Sequence, residues 1–274
     1  MTPQNRCRNR PRRPSLTFSL ARVLVLGPAL LLGAAGDPST PQSRMDKSIW
    51  AQRFTEQLPE LRSGHFDVIF LGDSITRELT VPGQQDWSNV KQVWDRWFAC
   101  HAPIDLGYAG DTTANLLWRI QNGGLPAQAP KAAVLMIGTN NNRAALGWTG
   151  QQTGQAILAI VADLHRRFPA MRIIVLGIPP NAHGPAVAAK IDAANAVLSG
   201  ADLATMNAVF VPTTDLFMQA GQLKTDLFRE PHRGGIALHP DTQGWELIAE
   251  RLAPVLDRAL GVASGPCAGA ALPQ

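Results

Sequence analysis

Cysteine is scarce in this chain, and its scarcity already excludes one class of chemistry. There are three cysteines among 274 residues. Cys7 lies in the first 36, and Cys100 and Cys267 stand at a spacing that fits no zinc or cluster pattern. No other grouping of histidine, cysteine and carboxylate has metal-ligand spacing, so neither a metal nor another cofactor is expected. A phosphate-cradling G-x-x-x-x-G-K-[ST] loop is missing, and so is the dinucleotide fingerprint G-x-G-x-x-G. The nucleophile elbow G-x-S-x-G is missing too. The N-terminal apolar run, Val23 to Ala35 (VLVLGPALLLGAA), is shorter than the roughly 20 residues that span a bilayer. Acidic residues are absent from positions 1–36, which hold Arg6, Arg8, Arg10, Arg12, Arg13 and Arg22. These six account for the basic balance of the whole. Of 25 basic residues, 19 remain beyond position 36 against 21 acidic ones, so the pI near 9.3 does not signal a nucleic-acid partner.

What is present at the N-terminus reads as a secretory signal peptide over 1–36. It has an arginine-rich start, a short apolar stretch, and Ala34-Ala35-Gly36 ahead of a cleavage point before Asp37. Arg12-Arg13 fits a twin-arginine signal only weakly, because Pro14-Ser15 follow where apolar residues are preferred. A secreted or periplasmic protein with no stable membrane anchor after cleavage is the expectation. In an oxidising compartment Cys100 and Cys267 either bridge the body to its tail or stay two buried thiols. Residues 37–44 read as a polar linker, 45–261 as one body and 262–274 as a small-residue tail.

Within the body, short apolar runs alternate with helical patterns. Phe66–Leu71, Ile104–Leu106, Ala132–Ile137, Arg172–Leu176 and Ala208–Val211 read as strands. Helices are expected at about 45–61, 88–99, 112–121, 151–167, 186–204 and 242–260; in the fourth, Ile157, Ile160, Val161 and Leu164 share a face. Near-continuous apolar strands between helices mean a parallel sheet covered on both faces, an α/β sandwich with five strands.

Sites in such sheets form beyond the carboxyl ends of the strands. Gly72-Asp73-Ser74 follows the first strand, Gly107-Tyr108-Ala109-Gly110-Asp111 the second and Gly138-Thr139-Asn140-Asn141 the third. A long loop after the fifth delivers His239. These parts suffice for acyl transfer. Ser74 is a candidate nucleophile and His239 its base. The N–H groups of Ser74 and Gly110 and the amide of Asn140 are candidate oxyanion donors. Each has a plainer reading: Ser74 as a helix cap, Asn140 as a turn residue, His239 as a surface residue before a Pro-initiated helix. Trp148 and His183 fall at the same rim, as pocket-shaping or merely exposed loop residues.

Gly-Asp-Ser, Gly110, Gly-x-Asn at 138–140 and His239-Pro240, in that order, resemble the four blocks of the SGNH (GDSL) hydrolases. Residues 107–125 (GYAGDTTANLLWRIQNGGL) and 134–141 (VLMIGTNN) are similar to the platelet-activating-factor acetylhydrolase catalytic subunits and their bacterial relatives. The resemblance covers about 45–260. It implies a flavodoxin-like three-layer αβα sandwich, with Ser74 as nucleophile, Gly110 and Asn140 as oxyanion donors and His239 as base. It also implies cofactor-free hydrolysis of short acyl esters, acetyl above all, on a small molecule, glycan, cell-wall polymer or lipid. One position departs. The family places an aspartate three residues before the histidine, and here that residue is Ile236. Three substitutes offer themselves: Asp226 first, then Glu230, then a loop carbonyl. His232 is a rival base, and Asp241 is expected to cap the last helix. A catalytically impaired, ligand-binding module is the alternative that the missing acid suggests.

Overall fold

The computed structural model describes residues 36–267, residue 84 excepted. The expected leader therefore lies outside the described residues but for Gly36, as does the tail beyond Cys267. In chain order the elements are α1 (Ser48–Ser63), β1 (Val68–Gly72), α2 (Ser74–Arg77), α3 (Lys91–Trp97), β2 (Pro103–Gly107), α4 (Thr113–Gln121) and β3 (Ala132–Met136). Then follow α5 (Gly150–Arg167), β4 (Arg172–Leu176), α6 (Pro185–Ser199), β5 (Ala208–Val211), α7 (Thr214–Phe217), the two-residue strands β6 (Met218–Gln219) and β7 (Gln222–Leu223), and α8 (Thr242–Leu260). No helix among the described residues is long and apolar enough to cross a membrane.

Strands β1 to β5 form one parallel sheet in the order β2-β1-β3-β4-β5. Its strands are apolar throughout because both faces are covered. Val68, Phe70, Val134, Met136, Ile174 and Leu176 pack with Trp94 and Trp97 of α3 and Trp245, Ile248 and Leu252 of α8. The alternate residues Ile69, Leu71, Ala133, Leu135, Ile173 and Val175 pack with Leu116 and Ile120 of α4, with Ile157, Ile160, Val161 and Leu164 of α5, and with Ile191 and Leu198 of α6. Successive side chains of a strand point to opposite faces, so one five-residue run serves two cores. Each fully buried side chain of this size contributes about 1.5–3 kcal/mol. The result is the three-layer αβα sandwich expected from the sequence.

Differences are local. The helix expected over 88–99 narrows to Lys91–Trp97, between short 3-10 turns. The one expected over 186–204 stops at Ser199, where Gly200 caps it and a 3-10 turn takes over. The long loop after β5 contains α7 and a small hairpin reversing at Ala220-Gly221, both with positive φ. Cys100 and Cys267 are joined as a disulfide, with Cα atoms 5.6 Å apart. The bridged alternative for this pair is the one found.

Candidate active site

The turn after β1 is shaped by a close approach. A Cβ on Gly72 would stand 2.0 Å from Thr76 Oγ1 and 2.5 Å from the Met136 carbonyl, so only glycine lets the chain fold back over the sheet here. Asp73, not Ser74, caps α2: its Oδ1 accepts from the Ile75 N–H at 3.0 Å. Ser74 is thus released from the capping role, and its hydroxyl projects at the strand ends. It lies 2.9 Å from Nε2 of His239.

His239 is brought there by the far side of its loop. Phe228 and Pro240 form an isolated antiparallel bridge; the Arg229 N–H donates to the His239 carbonyl and the Asp241 N–H to that of Leu227, each at 2.9 Å. This short pairing sets Glu230 beside the imidazole. Glu230 Oε1 is hydrogen-bonded to Nδ1, and Oε2 accepts from the N–H groups of Leu238 at 3.1 Å and His239 at 2.9 Å. The tautomer follows from these partners. Nδ1 faces a carboxylate and carries the proton, which leaves Nε2 to accept from the Ser74 hydroxyl.

The structure brings Glu230, and not Asp226, to the ring. Asp226 is exposed and lines a separate cleft with Trp87, His232 and Asp241. The first choice of acid is corrected on this ground. Residues 227–229 pair with 239–241, which carries position 230 to the histidine and leaves 226 on the other side of the bridge. Ile236 is 56% exposed, so the position three before the histidine faces solvent and not the ring. His232 stacks on Trp87 at 5.1 Å and lies 3.3 Å from Asp241, so it is directed away from Ser74. Asp241 caps α8 through the Gly244 N–H at 2.8 Å, as expected.

Charges around the ring fix its titration. Burial opposes protonation of His239, but the Glu230 hydrogen bond and the charges of Glu78 and Glu230 outweigh it. The ring therefore titrates above the usual histidine value, with Arg229 working in the opposite direction. Burial alone would raise Glu230; the hydrogen bonds from the His239 ring and N–H hold it down at about 2. Arg229 ties the group together, with Nη1 2.7 Å from Glu78 and Nη2 3.4 Å from Glu230. Glu78 itself is raised by burial, although His239 and Arg229 pull it back. Asp73 is buried beneath the serine, and desolvation pushes it up to about 7 against the Ile75 hydrogen bond.

The opposite wall is the Gly110 turn. Gly110 has φ +78°, a conformation that favours glycine. The next residue, Asp111, is fully buried, and Arg119 Nε (2.9 Å), Trp50 Nε1 (2.6 Å) and Arg44 Nη1 (3.1 Å) converge on its carboxylate. This buried cluster anchors the turn from below. Asn140 stands alongside. One hydrogen of its amide is given to the Asp111 carbonyl at 3.0 Å; the second contact, to Asp73 Oδ2, is longer at 3.3 Å. Arg143 Nη2 donates to Asn140 Oδ1 at 2.7 Å and so fixes which way the amide points. Among the described residues, neither the Ser74 nor the Gly110 N–H donates to a backbone carbonyl of a turn, loop or cap. Of the two further rim candidates, Trp148 is buried under its loop and His183 is exposed on a cleft that starts at Asn140 and Leu238.

Sequence reading missed the roles of Arg119, Arg143, Arg229 and Glu78. Arg119 carried one readable signal, a charge on the buried side of an amphipathic helix. Neither Arg143 nor Arg229 sits in any periodic pattern. No cofactor pocket or metal-ligand grouping was expected. The grouping of Cys100, His101 and Cys267 among the described residues is taken up by the disulfide.

Comparison with known proteins gives the family and the fold. A model of the GDSL-like Lipase/Acylhydrolase family matches residues 70–247. The chain is 28% identical over 151 residues to platelet-activating factor acetylhydrolase IB subunit alpha1 of Bos taurus, covering 55% of this chain and 60% of that one. It is 32% identical over 136 residues to subunit alpha2 of Homo sapiens, covering 50% and 54% respectively. The matches thus span little more than half the length of these curated relatives. Among solved structures, a putative platelet activating factor from Streptococcus pneumonia superposes with a TM-score of 0.58 at 21% identity, covering 76% of this chain and 92% of that one. That likeness shows the shared fold.

Proposed function

We propose, from the premise that the chain belongs to the GDSL-like lipase/acylhydrolase family, that it is a serine esterase hydrolysing short-chain esters, acetyl esters first among them, of a small molecule or glycan. The observation that carries this reading is the unbroken chain from Ser74 Oγ through both ring nitrogens of His239 to Glu230.

The steps follow from the positions. His239 Nε2 takes the Ser74 proton as Oγ attacks the acyl carbonyl carbon. Glu230 holds the tautomer and compensates the imidazolium, the part assigned elsewhere in the family to a residue at the position of Ile236. The carbonyl oxygen becomes an oxyanion, met by the Ser74 and Gly110 N–H groups. The Asn140 amide joins them by exchanging its long contact to Asp73. His239 then gives its proton to the departing alcohol. Water, deprotonated by the same ring, attacks the acyl-enzyme, and the acid leaves with Ser74 restored. Glu230 occupies the place whose emptiness motivated a non-catalytic reading, so that reading loses its ground. Turnover of 4-nitrophenyl acetate tests the proposal. Ser74→Ala is expected to lose about 10⁴-fold or more in kcat; full turnover by that variant would refute it.

The leader pattern over 1–36 supports export to an oxidising compartment, and the Cys100–Cys267 disulfide is in keeping with it.

A further inference from the structure

Two guanidinium groups meet over the Gly110 turn. A methyl built at Gly110 would lie 3.2 Å from Arg44 Nη1 and 3.3 Å from Arg143 Nη2. Like charges gathered this closely call for a counter-charge. Arg44 has one in Asp111 at 3.1 Å and also donates to the Ala109 carbonyl. Arg143 has none: among the described residues no carboxylate lies within ion-pair distance, and its side chain makes a single hydrogen bond, to Asn140. A guanidinium has five N–H donors in a planar fork, so most of its capacity stays open.

Arg143 also stands on the wall of the cleft that leads away from Asn140 and Leu238. The cleft holds about 400 Å³ and is lined in addition by Thr139, Asn142, Asn181 and His183. Among the described residues, no acidic one lines it. Asn142 is only 8% exposed, yet its Nδ2 has no partner. That nitrogen is itself closed off from solvent, so a ligand in the cleft does not reach it without a rearrangement. Asn181 Oδ1 accepts from both the N–H and the ring Nδ1 of His183, each at 3.1 Å, which orders these two side chains on the opposite wall. The cleft therefore sets a few polar groups, Asn140, Arg143, Asn181 and His183, among the apolar side chains of Ala144, Val187 and Leu238, with the unpaired Arg143 next to the oxyanion turn.

We propose that this cleft takes the alcohol portion of the ester and that this alcohol is an acidic sugar, its carboxylate paired with Arg143 and its hydroxyls with Asn181 and Thr139. The planar fork of the Arg143 guanidinium matches a carboxylate with two parallel hydrogen bonds. The inference rests on the esterase reading given above and adds the substrate class to it. It also makes Arg143 a specificity determinant as well as the group that orients Asn140.

The test uses three matched O-acetylated methyl glycosides differing only at C6: hydroxymethyl, carboxylate and phosphate. Released acetate is measured for the wild type and for Arg143→Gln and Arg143→Lys, with 4-nitrophenyl acetate as reference. The wild type is expected to favour the carboxylate ester over the neutral one by at least about tenfold in kcat/KM, mainly through KM. The carboxylate-to-neutral ratio is expected to fall close to one in Arg143→Gln and to be partly retained in Arg143→Lys. The ratio, and not the absolute rate, is the readout, since Arg143 also orients Asn140. A flat ratio in the wild type, a ratio unchanged in Arg143→Gln, or preference for the phosphate overturns the proposal. Ser74-dependent turnover of the aryl acetate with a flat ratio would leave the esterase standing and remove only the acidic sugar. Loss of turnover on every ester would remove both.

Discussion

At the scale of single residues, the account turns on a carboxylate that has changed its place in the chain. Glu230 reaches the imidazole from nine residues upstream, while Ile236, at the position where the resemblance leads one to expect an acid, faces solvent. Removing the charge but keeping the shape separates the contributions. Glu230→Gln is expected to lower kcat for 4-nitrophenyl acetate by about 10²–10⁴-fold. Glu230 helps raise the histidine, so its loss lowers the ring's pKa. The base must be neutral to act, and the acidic limb of the kcat/KM profile therefore moves to lower pH in the variant. Asp226→Asn, by contrast, is expected to stay within about twofold of the wild type. Ser74, Gly110 and Asn140 stood out because each follows a strand end where parallel sheets gather their chemistry, and His239 because it precedes a proline and the last helix. The acid did not. Its position depends on a bridge between Phe228 and Pro240, and a pairing that short leaves no periodicity to read. Arg143 was equally silent, being an exposed residue just after a 3-10 turn.

Among the elements, α2 matters most although it is only four residues long. Its cap, Asp73, is buried against the serine turn and titrates at about 7, above its ordinary 3.8. Between those values the folded protein keeps a proton that the unfolded chain releases, so this group makes stability fall as pH rises through the window. Asp73→Asn keeps an oxygen for the Ile75 N–H and has no charge to bury. Urea unfolding at intervals from pH 4 to 7 is expected to show a shallower decline in the variant than in the wild type; parallel curves would contradict the account. The larger elements were readable because their burial is simple. Five strands covered on both faces must be apolar throughout, and α5 shows the spacing of its buried face. Where helices end was less legible: Gly200 stops α6 five residues before the apolar pattern fades.

For the whole molecule, one covalent link joins positions 167 apart in sequence, which ties the end of α8 back to the region between α3 and β2. A loop of that size restricts the unfolded chain strongly, and reduction is expected to cost about 2–4 kcal/mol of stability. Unfolding of the wild type with and without reductant measures it, with Cys267→Ser as the variant that reductant leaves unchanged. Composition alone was misleading at this scale, because the basic pI belongs to the first 36 residues and not to the body. The sandwich itself, its two cores and the edge that carries the site all follow from the alternation of strands and helices. What the fold is proposed to do with that edge can be tested by covalent labelling with a serine-directed fluorophosphonate, the adduct being mapped by peptide mass spectrometry. The account predicts one adduct, on Ser74, formed far more slowly in Glu230→Gln. Folded wild-type protein that stays unlabelled, or that is labelled at another serine, would contradict it.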